Sequence, residues 1–228
     1  MIPRPENPLI VALDVSDVDR ARELAQVLAP HVGMLKVGLE LFWAVGPQSV
    51  ADVANLAPVF VDSKLHDIPT TVERAAANIA RLGVAMLNVH ALGGETMMRA
   101  AAEGARRGAD QAGVDPPLVI AVTVLSSHAG EGLASPASLA FEAQAAGLAG
   151  VVVSGEDVHE VRQVLGEDAC LAVPGIRPSG ANGDDQVRVL TPARALEQGA
   201  DYLIVGRPIT GAPDPVGVAR GIALELGW

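Results

Sequence analysis

The segment Asp62-Ser63-Lys64-Leu65-His66-Asp67 sets two carboxylates, an ammonium and an imidazole directly behind the apolar run Val59–Val61. Side chains on a β-strand alternate with period two, so Asp62 and Lys64 are expected to project from one face. An ammonium held beside a carboxylate can donate a proton or stabilise negative charge developing on a bound molecule. The plainer reading is a structural ion pair. Charges at the mouth of a parallel barrel favour the functional one. Lys36, within Leu35-Lys36-Val37-Gly38, has apolar neighbours and needs an anionic partner if it is buried. Asp62 or Asp67 can supply that partner; a lysine snorkelling to the surface is the alternative.

Other polar residues close apolar runs in the same way. Asp14 follows Ile10–Leu13 and suits either a ligand hydroxyl or the turn before a helix. His90, Ser126 and Ser154 follow further runs. In Ile204-Val205-Gly206-Arg207-Pro208-Ile209, a strand ends in Gly-Arg just before a helix. Glycine lets backbone approach a phosphate, and arginine can grip it with two hydrogen bonds. An exposed turn arginine is the competing reading. His66 and His90 lack metal-ligand spacing to another His or Cys, so no metal site is expected. His90 reads as a packing residue.

Eight short apolar runs must position these groups: Leu9–Leu13, Met34–Val37, Val59–Val61, Ala85–Val89, Leu118–Val124, Gly150–Val153, Cys170–Val173 and Tyr202–Val205. Most are continuous, as expected of parallel strands covered on both faces. Helix-prone segments lie between them. Ser16–Asp17 can cap a helix through Leu28, and Glu95–Arg107, Ser138–Leu148 and Val216–Leu226 are further candidates. Strand and helix alternating eight times predict an α/β fold, a (β/α)8 TIM barrel, as a single domain over residues 1–228. A doubly wound sheet is the runner-up. The stretch Pro174–Asp185 is rich in Gly, Pro, Ser and Asn and reads as a lid loop.

Composition narrows the function. A net charge of −11 argues against a nucleic-acid partner, which would demand a basic face. It leaves room for a small anion held by one Arg and a few N–H groups. Aromatics make up only 3% of the chain, so Ala, Val, Leu and Ile must build the core. The lone Cys170 sits in an apolar run and reads as a buried structural thiol in a reducing compartment. Met1–Pro8 does not read as a signal peptide, and no run is long enough to span a bilayer. A cytoplasmic location without membrane contact is expected.

The motif Asp62-x-Lys64-x-x-Asp67, continued by Ile68-Pro69-Thr70-Thr71-Val72, resembles the signature of orotidine 5′-monophosphate decarboxylases. The resemblance extends in order through Leu13-Asp14, Lys36-Val37-Gly38, Pro174-Gly175-Ile176-Arg177, Asp185-Gln186 and Gly206-Arg207. The family usually has Asn at the position of Thr70 and a larger apolar residue at Ser63; neither departure touches a charged position. The resemblance implies a catalytic network of Asp62, Lys64, Lys36 and Asp67, with Lys64 as proton donor. It implies that Asp14 binds ribose and that Ser126, or alternatively Ser127, meets the pyrimidine. Gln186 and Arg207, beside Gly206, would hold the phosphate, with Arg177 close by. Asp67, Ile68 and Thr71 would complete the site of a neighbouring subunit, making a homodimer.

No thiamine, pyridoxal or metal motif accompanies these residues, so no cofactor is expected. One competing enzyme class shares the Asp-x-Lys-x-x-Asp pattern: magnesium-dependent sugar-phosphate decarboxylases and aldolases on similar barrels. The Ile68–Thr71 continuation and Asp185-Gln186 favour the nucleotide enzyme. A non-catalytic nucleotide-phosphate-binding barrel is a third reading, but it has no need of both Lys36 and Lys64.

Overall fold

The computed structural model describes residues 5–125, 134–178 and 190–227. Eight parallel strands close into a barrel in chain order. They are β1 (Leu9–Ala12), β2 (Met34–Val37), β3 (Val59–Leu65), β4 (Met86–His90), β5 (Leu118–Val122), β6 (Gly150–Val152), β7 (Cys170–Pro174) and β8 (Tyr202–Val205). Ile10 pairs with Met34 on one side and with Ile204 on the other, which seals the cylinder. The fold class read from the eight apolar runs is therefore the observed one.

Helices fill the connections: α1 (Val18–Leu28), α2 (Leu39–Val45), α3 (Gln48–Ala54), α4 (Pro69–Ala80), α5 (Gly94–Ala112), α6 (Pro136–Ala145), α7 (Val158–Leu165), α8 (Pro192–Glu197), α9 (Arg207–Thr210) and α10 (Pro215–Glu225). Asp17 caps α1 by accepting from the N–H groups of Asp19 and Arg20. Such a cap contributes about 1 kcal/mol. Gly46-Pro47 separates α2 from α3. The helix expected over Ser138–Leu148 starts earlier, at Pro136, because Ser135 caps it by accepting from Ser138 N–H.

Strand parity sorts the side chains into two cores. Leu9, Val11, Leu35, Val37, Val59 and Val61 face the helices. Ile10, Met34, Phe60, Met86, Ile120 and Ile204 face into the barrel, where Cys170 is also buried. Fully burying a Phe, Ile or Met contributes about 1.5–3 kcal/mol. This inner layer plugs the barrel below its C-terminal rim.

Two further contacts fix the frame. Below the strands, the buried Arg162 of α7 donates to the carbonyls of Gly166, Ala169 and Gly199 and, at 2.6 Å, to Oδ2 of Asp201. Those acceptors flank the starts of β7 and β8, so one guanidinium ties α7 to both. On the outside, α5 lies against α4 with almost no side chain between them. A Cβ on Gly104 would stand 2.1 Å from the carbonyl oxygen of Glu73, and one on Gly108 would stand 2.2 Å from that of Ala77.

Candidate active site

The inward parity of the strands continues one step beyond the apolar plug, and there it turns polar. Two residues after Ala12, Met34, Phe60, Met86, Val152 and Ile204 stand Asp14, Lys36, Asp62, Asn88, Ser154 and Gly206. All six line one cavity of about 400 Å³ at the C-terminal rim, a volume suited to a small-molecule ligand. Val124, Leu125 and Pro174 form apolar wall, and Arg177 and Arg207 border the same space.

Four charges alternate across this cavity. Lys36 Nζ stands 2.9 Å from Asp14 Oδ1 and 3.0 Å from Asp62 Oδ2. Lys64 Nζ stands 2.6 Å from Asp62 Oδ1. Side-chain exposure rises outward from Lys36 (7%) and Asp62 (12%) to Lys64 (30%) and Asp14 (45%), so the inner pair is sheltered and the outer groups meet the cavity. Each contact near 3 Å is worth on the order of 5 kcal/mol at an effective dielectric of about 20. That is comparable to the several kcal/mol lost in desolvating one ion. Two anions therefore suffice to keep Lys36 charged. Burial pulls its pKa down, but Asp62 and Asp14 outweigh that and leave it above the usual lysine value. Burial likewise pushes Asp62 up, but Lys36, Lys64 and the hydrogen bonds from Lys64 and Asn88 bring it down to about 2.

Lys36 is buried beside Asp14 and Asp62, which removes the snorkelling reading. Its partners are Asp62 and Asp14, whereas Asp67 lies elsewhere. Asp67, Ile68 and Thr71 are exposed outside this cavity, at the start of α4, and the Asp67 carboxylate accepts from Ile68 N–H. Arg177 is buried at the end of β7 and Arg207 opens α9 after β8. Ser126, Ser127 and Gln186, and most of the expected lid, lie outside the described residues. Cys170 is buried inside the barrel, and burial pushes its thiol pKa far up, which fits the structural reading.

Asp62 and Lys64 converge, but not by simple alternation. β3 runs to Leu65, beyond the expected Val61, and its pairing with β4 shifts register between Val61 and Leu65. Lys64 has φ +47°, the left-handed region, which no other non-glycine residue adopts among the described residues. Sequence reading missed Asn88, which touches both residues, and Glu40, which lines the cavity and accepts from Ser16 Oγ at 2.8 Å. The signal for Asn88 was present: a lone amide on the inward parity of an apolar strand. His90 lies beside His66, with ring centroids 5.5 Å apart. Burial, then His66 and Lys64, lower the His90 pKa against the opposing pull of Asp62.

Chemically, the arrangement offers an ammonium at the cavity edge, in contact with an anion that also meets a second, buried ammonium. Three strands round the rim, Arg207 borders the same cavity. Among the described residues, no group of His, Cys, Asp and Glu is arranged to hold a metal ion, and no helix is long and apolar enough to cross a membrane.

Comparison with known proteins agrees with this fold. The model of the orotidine 5'-phosphate decarboxylase / HUMPS family matches residues 7–222. The orotidine 5'-phosphate decarboxylase of Moorella thermoacetica is 46% identical over 233 residues, covering 97% of this chain and 92% of that protein. The enzyme of that name from Nitratidesulfovibrio vulgaris is 48% identical, covering 96% and 97%. The crystal structure of orotidine 5'-phosphate decarboxylase from Lactobacillus acidophilus superposes with a TM-score of 0.84 at 34% identity, covering 98% of this chain and all of that one. With residues 7–222 matched by the family model and the same barrel around them, this chain belongs to the orotidine 5'-phosphate decarboxylase / HUMPS family.

Proposed function

We propose that this protein decarboxylates orotidine 5′-monophosphate to uridine 5′-monophosphate, the final step of de novo pyrimidine nucleotide synthesis. The observation that carries the reading is the alternating row Asp14–Lys36–Asp62–Lys64 at the rim of the barrel. Family membership and the names of the relatives support it.

Loss of CO2 from C6 of the pyrimidine leaves an electron pair on that carbon with no adjacent electron sink. Fixed charge must then lower the barrier. Lys64 stabilises the developing pair and gives C6 a proton; the resulting neutral amine regains its proton from water. Asp62 positions Lys64 and faces the substrate carboxylate. Two carboxylates about 4 Å apart repel by roughly 4 kcal/mol at an effective dielectric of about 20, and that repulsion vanishes as CO2 leaves.

The remaining roles follow the family resemblance. Asp14 binds ribose, Ser126 or Ser127 meets the pyrimidine, and Gln186 and Arg207 hold the phosphate at the Gly206 turn, with Arg177 close by. Phosphate binding energy is available to assemble the site around the reacting carbon. Asp67, Ile68 and Thr71 serve the neighbouring subunit of a homodimer. The chain works as one barrel domain in the cytoplasm, without a cofactor, nucleic acid or membrane partner.

The test is loss of absorbance from orotidine 5′-monophosphate with chelator-treated protein, repeated with Lys64→Ala. Turnover that survives chelation and disappears in the variant, while uridine 5′-monophosphate still binds, is the expected result. Turnover abolished by chelator and restored by magnesium would favour a metal-dependent sugar-phosphate enzyme instead.

A further inference from the structure

Asn88 on β4 is 1% exposed, and both polar atoms of its side chain bond to β3. Its Nδ2 donates to Asp62 Oδ1 at 2.7 Å, and its Oδ1 accepts from the backbone N–H of Lys64 at 2.7 Å. Its backbone carbonyl accepts from Ser63 Oγ at 2.8 Å. The three bonds span the interval where the β3–β4 register shifts, between Val61 and Leu65. Within that interval Lys64 adopts φ +47°, which costs a non-glycine residue about 1–2 kcal/mol. Such a conformation persists only where the surroundings hold it. The Asn88 amide does so by capturing the Lys64 N–H where the register shifts.

The amide also acts on the charges. Asp62 Oδ1 receives both Asn88 Nδ2 and Lys64 Nζ, so Asn88 fixes the orientation of the carboxylate against which the ammonium rests. An apolar residue of similar size supplies neither bond. An aspartate supplies the acceptor for Lys64 N–H but, when ionised, no donor for Asp62.

We propose that Asn88 is a positioning residue for the decarboxylation, a clamp whose amide holds both the backbone of Lys64 and the carboxylate of Asp62 in working orientation. This inference rests on the decarboxylase reading, and its test separates the two.

Asn88→Ala and Asn88→Asp are compared with wild type in turnover of orotidine 5′-monophosphate, in binding of uridine 5′-monophosphate and by crystallography. Asn88→Ala is expected to lower kcat about 100-fold while product affinity stays within about threefold, because displacement of a reacting group by about 1 Å costs that much. Asn88→Asp is expected to gain a pH dependence that wild type lacks. Its activity is low at neutral pH and recovers on acidification, as a protonated Asp at 88 regains a donor toward Asp62. A purely structural role predicts no such recovery. In the crystal structure of Asn88→Ala, Lys64 is expected to leave positive φ and to part from Asp62. If that variant does not fold, the pH profile of Asn88→Asp decides alone. The clamp is overturned by a kcat within about threefold of wild type in both variants, by an Asn88→Asp deficit that does not change with pH, or by unchanged Lys64 geometry in Asn88→Ala. Wild-type protein inactive on orotidine 5′-monophosphate overturns the decarboxylase reading instead, and the crystallographic comparison then decides the clamp.

Discussion

Gly38 and Lys36 are fitted to one another: a Cβ on Gly38 would stand 2.8 Å from Lys36 Nζ, and also 2.7 Å from Asp14 Oδ1. The backbone at Gly38, φ −94° and ψ −176°, is open to any residue, so alanine there brings no conformational strain. The clash falls on the ends of two side chains, and those ends form the Asp14–Lys36 contact of the charge row. Gly38→Ala should therefore lower kcat/KM at least about tenfold, which is about 1.4 kcal/mol of transition-state stabilisation. Its melting temperature should move by only a few degrees. Steady-state kinetics beside a thermal melt measure both, and an unchanged kcat/KM would show that the row tolerates displacement.

Arg207→Ala should separate the two ends of the ligand. Arg207 borders the cavity just past Gly206, at the end of β8. Removing a charge-assisted contact to phosphate is expected to weaken uridine 5′-monophosphate binding by about 10- to 100-fold. Uridine, which lacks phosphate, should bind nearly as before. Calorimetric titration with both ligands checks this, and equal losses would assign Arg207 a structural role.

Asp62 makes stability depend on acid in a defined window. Its folded pKa is about 2, below the ordinary carboxylate value of 3.8, so its contribution is complete above about pH 4. The contribution is lost as pH falls through about 2, and its size is about 2 kcal/mol. Lys36, raised above the usual lysine value, stays protonated across that window and contributes no slope there. In urea unfolding between pH 5 and pH 2, the gap between wild type and Asp62→Asn should narrow with acid. A constant gap would mean that the charge of Asp62 is not what stabilises this layer.

Sharing of sites across a dimer can be tested by mixing. Asp67 is exposed and is not among the residues that line its own chain's cavity. If it serves a neighbour, Lys64→Ala and Asp67→Ala chains are each inactive alone. A heterodimer of the two has one site with both defects and one with neither. Subunit exchange should then restore about half the wild-type activity per heterodimer. Heterodimers seen by mass spectrometry without recovered activity would falsify the shared site.

The barrel was legible because a strand buried on both faces writes itself as an unbroken apolar run, as in Leu9–Ala12 and Tyr202–Val205. The charge row was legible in part. Lys36, Asp62 and Lys64 are ions beside apolar strands, and such residues need a reason to be there. Asn88 gave a weaker signal, since one amide within Met86-Leu87-Asn88-Val89 resembles an isolated packing residue until its parity is followed. The left-handed turn at Lys64 was not legible. Nothing in Asp62-Ser63-Lys64 demands positive φ, and the contact that supports it comes from position 88, on another strand. Asp14 as the second partner of Lys36 was hidden for the same reason: the pairing of β1 with β2 brings them together.

Because Gly104 and Gly108 seat α5 directly on the backbone of α4, the helix that begins beside Asp67, Ile68 and Thr71 rests on a hard stop rather than a cushion of side chains. Side chains repack by degrees, whereas main chain against main chain leaves α4 a single depth and a single angle. The segment that opens α4 is thus seated through main-chain contact with α5. Its accuracy is set by two hydrogen atoms on the far side of the helix, well away from any ligand.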